Sequence, residues 1–423
     1  MLIKGGRVID PSSGTDRVTD IYIKNGEIEL IGDAGDLTDD EVIDATGLIV
    51  APGLVDVHVH FRDPGQTGKE TLHTGAKAAA AGGYTSVVCM ANTLPAVDTA
   101  DTLRDILDRA SEERIHIYQT AALTVGREGR ELVDMEELHR KGAAGFTDDG
   151  TPVMDEKLVR EAMKRAASLG AVLSFHEEDP EYVRDAGVNA GDAARALGLE
   201  GAHREAEIRM IERDLEMALA AGATVDIQHV SAKESVDIIR RYKERDTAGL
   251  IHAEATPHHF SLTEEAVERT GTLAKVNPPL RTEEDRLAVA KGVADGTLDI
   301  IATDHAPHMK EEKDRPFKQA PSGMVGLETA LSLGITNLVD TGIISYHTLI
   351  ERMSTAPALL YGIPAGSLLP GRPADMVIFD PDHRYILKEK DLHSKSKNSP
   401  FIGSELKGRV RYTIAGGRLV YSL

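Results

Sequence analysis

Eight short apolar segments alternate with helix-like segments through the middle of the chain, and this alternation constrains the fold more than any other feature. The strand-like segments are 54–60, 85–90, 115–121, 145–147, 172–175, 224–228, 250–255 and 300–303. Amphipathic stretches between them include 70–81, 99–113, 155–169, 205–221, 232–244 and 283–295. Because strands buried on both faces read as apolar runs, the pattern predicts a (β/α)8 barrel of the TIM type. The alternative is an open doubly wound sheet, which the strand count and the lack of a glycine-rich phosphate loop disfavour.

The two ends of the chain resemble each other. Segments 3–9 and 414–420 each contain a Gly-Gly pair, interpreted as a turn, followed by an apolar strand, and 20–24 and 374–380 also read as strands. Both termini therefore predict one small β-sandwich domain. We expect it to comprise 1–50 plus 366–423, with the barrel domain, 51–365, inserted between its halves.

Composition excludes several classes of protein. The chain has 423 residues and a formal net charge of -21, without the basic stripe that a nucleic-acid partner requires. The single cysteine, Cys89, lies in an apolar run and allows no intrachain disulfide. The start of the chain has no signal-peptide pattern, and no run of 18 apolar residues occurs. We therefore expect a cytoplasmic protein without a membrane partner.

Metal-binding side chains follow the predicted barrel strands. His58 and His60 point to the same side of their strand because side chains alternate, and two neighbouring imidazoles suit a divalent metal. Four more candidates end strands four, five, six and eight, namely Asp149, His176, His229 and Asp304. Active sites of such barrels gather at the C-terminal ends of the strands. Each residue alone is explained as a helix cap or a core histidine, but the set predicts a metal centre.

The ligands divide into two groups. His58, His60 and Asp304 could hold one divalent ion, and His176 and His229 could hold a second. Two such ions would stabilise a bridging hydroxide at neutral pH and polarise a carbonyl oxygen. Asp304 is the natural general base and then acid, passing the proton to a leaving nitrogen. The predicted reaction is attack on an amide-like carbon.

The carboxylate of Asp149 has two oxygens with which to bridge the ions. Its neighbour Asp148 is an alternative that spacing alone does not exclude. An arginine two residues after His60, Arg62, suits an anionic substrate because its planar fork matches a carboxylate.

Six phrases make the chain similar to a known family. They are HVHFRDPGQT at 58–67, MANT at 90–93, FTDDG at 146–150, VNPPLR at 276–281, TDHAPH at 303–308 and PSGMVGLE at 321–328. Together they resemble the type I dihydroorotases of the amidohydrolase superfamily, over most of the chain. The resemblance implies reversible cyclisation of N-carbamoyl-L-aspartate to dihydroorotate and water in pyrimidine biosynthesis.

The resemblance also assigns residues by position. The zinc ligands it implies are His58, His60, Asp149, His176, His229 and Asp304, with Asp304 also transferring the proton. The substrate contacts it implies are His60, Arg62, Asn92, Asn277, His308, Ser322 and Gly323. Of these, Arg62, Asn92 and His308 would hold the α-carboxylate, and Asn277 with the backbone of Ser322 and Gly323 would contact the ring amide. A turn role before Pro278 is the alternative for Asn277.

Several alternatives stay open. Hydantoinases, allantoinases and many other dihydroorotases bridge their metals with a carboxylated lysine after strand four, whereas segment 145–150 contains no lysine, which favours a type I dihydroorotase over a hydantoinase-like enzyme. A silent subunit that scaffolds an aspartate transcarbamoylase is disfavoured because all six ligand positions are filled. The sequence leaves open whether both zinc sites fill, and whether the protein forms a homo-oligomer or associates with aspartate transcarbamoylase. The charged loop 308–320 is either a lid over the substrate or a solvated surface loop, and 177–204 has no assigned role.

Overall fold

The computed structural model of the chain describes residues 1–35, 37, 39 and 41–423. Within these residues, the strands before the barrel are β1 (Leu2–Asp10), β2 (Thr15–Lys24), β3 (Glu27–Gly32), β4 (Val42–Asp44) and β5 (Ile49–Pro52). The barrel strands are β6 (Leu54–Val59), β7 (Tyr84–Cys89), β8 (His116–Gln119), β9 (Gly145–Phe146), β10 (Val172–Phe175), β11 (Val225–Ile227), β12 (Ile251–Ala255) and β13 (Ile300–Ile301). The last three are β14 (Met376–Ile386), β15 (Glu405–Ala415) and β16 (Arg418–Ser422). No helix in the described part of the chain is long and apolar enough to cross a membrane.

Helices separate the barrel strands. The first seven are α1 (Leu72–Gly82), α2 (Ala100–Ala110), α3 (Met135–Arg140), α4 (Glu156–Leu169), α5 (Asp192–Ala196), α6 (Glu205–Ala221) and α7 (Lys233–Arg245). The others are α8 (Pro257–Ser261), α9 (Glu265–Thr270), α10 (Glu283–Asp295), α11 (Lys310–Lys313), α12 (Ala330–Gly334), α13 (Tyr346–Ile350) and α14 (Ala356–Leu360). Their ends follow local chemistry: α4 begins after Asp155, whose carboxylate accepts the N–H of Lys157, and ends at Gly170 with φ 66°.

The eight central strands close into a ring. Strands β6 to β8 form one parallel sheet, and β9 to β13 form another. Parallel bridges join the two sheets, one between Ala121 and Phe146 and the other between Val59 and His305. The N–H of His60 also donates to the carbonyl oxygen of His305 over 2.9 Å. The predicted (β/α)8 barrel is therefore confirmed, and its closure lies beside the His58–His60 segment.

The two ends of the chain share one sheet. Its strands follow the order β16-β15-β14-β5-β1-β2-β3, and β4 pairs with β1. Buried residues from both halves, including Ile3, Val50 and Met376, form one hydrophobic cluster, so the terminal sheet has a core of its own. One local prediction is wrong: the Gly5–Gly6 pair lies inside β1, where the register with β2 shifts between Ile3 and Gly6, and forms an irregularity of the strand instead of a turn.

Candidate active site

Three of the predicted ligands meet at the mouth of the barrel. His58 is the fifth residue of β6, His60 follows that strand, and Asp304 follows β13. His60 Nε2 lies 3.0 Å from Asp304 Oδ1, and His58 Nε2 lies 3.6 Å from the same oxygen. One ligand atom from each residue falls within 4.8 Å of the others, close enough to share a metal ion. His58 Nε2 is buried, has no hydrogen-bond partner and faces the same point.

A second group overlaps the first. His58, Asp149 and His229 also place ligand atoms within 4.8 Å of one another. Asp149 turns its two oxygens to different imidazoles, Oδ1 to His58 Nε2 at 3.5 Å and Oδ2 to His60 Nε2 at 3.6 Å. His176 stands at the edge of this group, with Nδ1 3.7 Å from Asp149 Oδ1 and 2.9 Å from His229 Nε2. Asp149 thus faces both groups, as a bridging carboxylate must.

The neighbouring carboxylate has a different task. Asp148 accepts the backbone N–H of Leu123 at 2.8 Å and of Thr124 at 3.1 Å, together with the hydroxyl of Thr124. It holds the loop that follows β8, so its oxygens are not available to the cluster. The structure therefore distinguishes Asp149 from Asp148, which spacing alone could not do.

Sequence analysis missed one buried carboxylate next to the ligands. Glu254, fully buried in β12, has Oε2 2.9 Å from His58 Nδ1 and accepts the N–H of His229 at 3.2 Å. A carboxylate on the far nitrogen orients a metal-binding imidazole and raises its basicity. Its signal was in the sequence, because an acidic residue inside an apolar strand of the barrel needs a buried partner.

The electrostatics of the cluster suit a bound cation. Burial opposes protonation of His58, but Glu254 and Asp149 outweigh it and raise the pKa of the imidazole well above its usual value. Burial alone would raise the pKa of Asp149, yet the surrounding imidazoles hold it well below the usual range. Burial and two neighbouring imidazoles lower the pKa of His229 well below its usual value, so it is neutral and able to ligate. Buried carboxylates that stabilise positive charge, beside neutral imidazoles, match the donor set of a divalent metal site.

Backbone strain is concentrated here. Five residues other than glycine have positive φ in the described chain, and three of them are Arg62 at 56°, His229 at 33° and Asp304 at 48°. Such conformations cost about 1–3 kcal/mol each and persist where the surroundings enforce them. All three residues line one cavity.

That cavity has a volume of about 210 Å³. It is lined by His60, Arg62, Asn92, Asp149, Gly150, His176, His229, Asn277, Asp304, Ala306, His308, Ser322 and Gly323. Every residue singled out from the sequence therefore lines it except His58, which is fully buried behind the others. Residues from widely separated parts of the chain meet in one small polar pocket.

One end of the pocket offers positive charge. The Nε atom of Arg62 is buried without a hydrogen-bond partner, its Nη2 lies 3.4 Å from His308 Nε2, and among the described residues its guanidinium forms no ion pair with a carboxylate. His308 donates from Nε2 to the carbonyl oxygen of Ser322 at 2.8 Å, and its Nδ1 lies 3.4 Å from Lys69 Nζ. Burial and the charges of Arg62 and Lys69 lower the pKa of His308, so this imidazole is neutral. The cations at this end are Arg62 and Lys69, and sequence analysis had not identified Lys69.

The other predicted substrate contacts are partly engaged within the protein. Asn92 has Oδ1 2.9 Å from His60 Nδ1 and donates from Nδ2 to Asp149 Oδ2 at 2.8 Å. Ser322 Oγ donates to Asn277 Oδ1 at 2.9 Å, and Gly323 donates its N–H to the carbonyl oxygen of Lys275 at 2.8 Å. These residues line the cavity, and their contacts with a substrate stay predictions.

The segments 308–320 and 177–204 both contact other loops around the mouth of the barrel. The loop 308–320 contains α11, and the buried Lys313 and Lys275 donate to carbonyl oxygens within 317–323. In the segment 177–204, Asn189 donates to Glu264 at 2.7 Å and accepts from Arg281 at 3.1 Å. Both segments are therefore fastened to the loops around the barrel mouth.

The chain is similar to known proteins over its whole length. A family model described as dihydro-orotase-like matches residues 47–235. The dihydroorotase of Clostridium acetobutylicum is 52% identical over 422 residues, 100% of this chain and 99% of the relative. That of Clostridioides difficile is 53% identical over 423 residues, 100% of both chains.

Solved structures agree in fold. The L-hydantoinase (dihydropyrimidinase) of Arthrobacter aurescens superposes with a TM-score of 0.89 at 26% identity, covering 100% of this chain and 96% of that one. The D-hydantoinase of a Thermus species gives 0.85 at 26% identity, with coverage of 100% and 95%. These neighbours are cyclic-amide hydrolases by name, which agrees with a metal-dependent amidohydrolase fold. From the full-length identity to its curated relatives, the chain belongs to the dihydroorotase family.

Proposed function

We propose that this chain is a dihydroorotase, which reversibly cyclises N-carbamoyl-L-aspartate to (S)-dihydroorotate and water in pyrimidine biosynthesis. The full-length relatives support the activity. The observation that carries the substrate class is Arg62, a pocket cation without a carboxylate partner among the described residues. An unpaired charge in a largely buried site is costly, so a carboxylate on the ligand would supply the missing partner.

We further propose that the pocket holds two zinc ions when both sites fill. His58, His60 and Asp304 would bind one, His176 and His229 the other, and Asp149 would bridge. The convergence of these atoms and the unpartnered His58 Nε2 support this donor set. Bound zinc ions lower the pKa of water and polarise a carbonyl oxygen.

The protein's own groups would then handle substrate and protons. Arg62 would hold the substrate carboxylate in a bidentate pair, with Asn92 and His308 beside it. In the hydrolytic direction, Asp304 would accept the proton of the attacking water and deliver it to the ring nitrogen as the amide C–N bond breaks. In the cyclisation direction it would take that proton from the ureido nitrogen and return it to the departing water. The short distance between Asp304 and His60, 3.0 Å, supports a fixed orientation for this carboxylate.

The test is a substrate panel on the zinc-loaded protein. Dihydroorotate hydrolysis and N-carbamoyl-L-aspartate cyclisation are followed beside dihydrouracil and hydantoin, which lack the carboxylate. We expect turnover of the acidic pair and little of the neutral pair. Faster turnover of dihydrouracil or hydantoin than of dihydroorotate would refute the assignment. Metal analysis of Asp149→Ala tests the bridge, because a variant that keeps the wild-type metal content contradicts that role.

We propose the domain division into 1–50 plus 366–423 and 51–365, because both termini share one sheet with its own hydrophobic core. A cytoplasmic location, a homo-oligomer and an association with aspartate transcarbamoylase stay predictions from the sequence.

A further inference from the structure

A segment from the C-terminal part of the chain reaches the mouth of the barrel. It lies in the connection between β14 and β15, and we call residues 393–398 the strap. Its first end is anchored by Glu328, whose carboxylate accepts the N–H of His393 at 2.7 Å and of Ser394 at 2.9 Å. The strap thus leaves the terminal sheet and is fixed above the barrel before the chain returns to β15.

The strap first crosses the loop that follows β6. The fully buried Glu70 accepts the N–H of Lys395 at 3.0 Å and the hydroxyl of Ser394. Ser396 donates from Oγ to the carbonyl oxygen of Lys69 at 2.7 Å. Because this loop also carries Arg62, the strap holds one wall of the positively charged end of the pocket, where the substrate carboxylate would bind.

Asn398 then joins the loop that follows β13. This residue is 4% exposed, and its side-chain amide is fully engaged. Its Oδ1 accepts the N–H of His308 at 3.0 Å, while Nδ2 donates to the carbonyl oxygens of Ala306 at 3.0 Å and Gly323 at 3.1 Å. Its own carbonyl oxygen accepts the N–H of Val325 at 3.0 Å. One amide therefore fixes the two ends of loop 306–325 to each other.

Gly323 is packed closely against Ala306 and His308. A Cβ on Gly323 would lie 2.7 Å from the Ala306 Cβ and 3.1 Å from His308 Nε2. The backbone at Gly323, the carbonyl of Ser322 and the imidazole of His308 are thus in close contact around the pocket. A shift of Asn398 would move His308 and Gly323 relative to each other and to Arg62.

We propose that Asn398 is a positioning residue for recognition of the substrate carboxylate, acting by holding His308 and Gly323 in register across loop 306–325. The inference rests on the proposed dihydroorotase function. Asn398 does not line the cavity and touches no ligand itself. Its effect should therefore fall on binding of carboxylate ligands, with little effect on the metal centre or on the chemical step.

The experiment compares Asn398→Asp and the milder Asn398→Ser with the wild-type holoenzyme. Asn398→Asp keeps the acceptor for His308 but replaces the donors to two carbonyl oxygens by a carboxylate. We expect KM for dihydroorotate, and the inhibition constant of orotate, to rise together by about tenfold or more, with kcat within about threefold. Zinc content should equal that of wild type. The matched control is Asn337→Asp, which loses a 3.0 Å bond to the Leu333 carbonyl oxygen far from the pocket and should leave KM unchanged.

The outcomes distinguish a failure of the proposed function from a failure of the proposed role of Asn398. A wild-type protein that fails to hydrolyse dihydroorotate overturns the proposed function and this inference with it. An active wild type, with folded Asn398 variants whose KM and orotate inhibition are unchanged, overturns the inference alone. A fall in zinc content or kcat at constant KM would assign Asn398 a purely structural role and also contradict the proposal.

Discussion

Replacing Glu254 by glutamine tests the role of the buried carboxylate behind His58. Glu254 Oε2 lies 2.9 Å from His58 Nδ1 and 3.2 Å from the backbone nitrogen of His229. Both histidines are proposed zinc ligands, and Glu254 itself is fully buried. Glutamine keeps the shape and one acceptor oxygen but removes the negative charge. The substitution therefore isolates the electrostatic contribution of this carboxylate to metal binding.

The magnitude follows from the hydrogen bonds. A bond to a charged group contributes about 1.5–3 kcal/mol, against about 0.5–1.5 kcal/mol for a neutral one, so Glu254→Gln should lose about 1–1.5 kcal/mol at His58. That loss weakens zinc binding by about five- to tenfold. The weaker contact with the His229 N–H adds to it, so we expect about tenfold or slightly more, at the lower end of the usual range for such partners.

The assay is competition between the protein and a chelator, with bound zinc measured after equilibration. Asp226→Asn is the matched control, because Asp226 is equally buried in the neighbouring strand β11, and burial together with the nearby Glu254 raises its pKa well above the usual value. Burial favours the neutral form of this carboxyl group, and asparagine has nearly the same shape, so zinc affinity should stay within about twofold of wild type. Unchanged zinc affinity in Glu254→Gln, or an equal loss in Asp226→Asn, would refute the reasoning.

Three further predictions concern single residues. Arg62→Gln should raise KM for dihydroorotate at least about tenfold, because a charge-assisted pair is lost, while turnover of dihydrouracil is unaffected; steady-state kinetics on both substrates checks this. Asp304→Asn should lower kcat by at least about 100-fold, because an amide cannot accept and return the proton. Since Asp304 is also a proposed ligand, zinc analysis must show that the metal is retained. Wild-type turnover would exclude Asp304 as the proton carrier. Burial lowers the pKa of Lys313 from 10.5 to about 7. Between pH 7 and 10.5 Lys313 is therefore protonated in the unfolded chain but not in the folded one, so the free energy of unfolding should rise with pH across this range by up to about 5 kcal/mol. Urea titrations at several pH values should show a flatter rise for Lys313→Met.

The barrel could be predicted because its strands are buried on both faces. Strands such as β6 and β7 are buried at every position, so most of their residues are apolar and the few polar ones, such as His58, stand out. The contacts that close the ring could not be read in the same way, since the bridge between Val59 and His305 joins residues more than 240 positions apart. At Gly5–Gly6 the sequence was misread, because two glycines fit a strand irregularity as well as a turn.

Site residues could be predicted from the sequence where a metal-binding side chain lies at the end of a barrel strand. His60, His176 and Asp304 directly follow barrel strands or lie within three residues of them, so barrel geometry brings them together. Glu254 and Asn398 were missed for different reasons. Glu254 lies inside a strand, where a search for ligands at strand ends does not reach, and Asn398 acts from a segment outside the barrel that only the tertiary structure places at the pocket.

The charge of the whole chain has little influence on substrate binding compared with the charges at the pocket. Ionic screening reduces interactions between exposed charges beyond about 8 Å at physiological salt, so most of the net charge of -21 is not felt there. Close by, Arg62 has no carboxylate partner among the described residues, whereas Lys69 is partly compensated by Glu312 at 3.2 Å. An acidic ligand therefore meets one uncompensated cation at one end of the pocket and the carboxylates Asp149 and Asp304 at the other. Metal ions on those carboxylates would reverse the sign of that end, so metal loading and binding of an acidic substrate are coupled through the same small cavity.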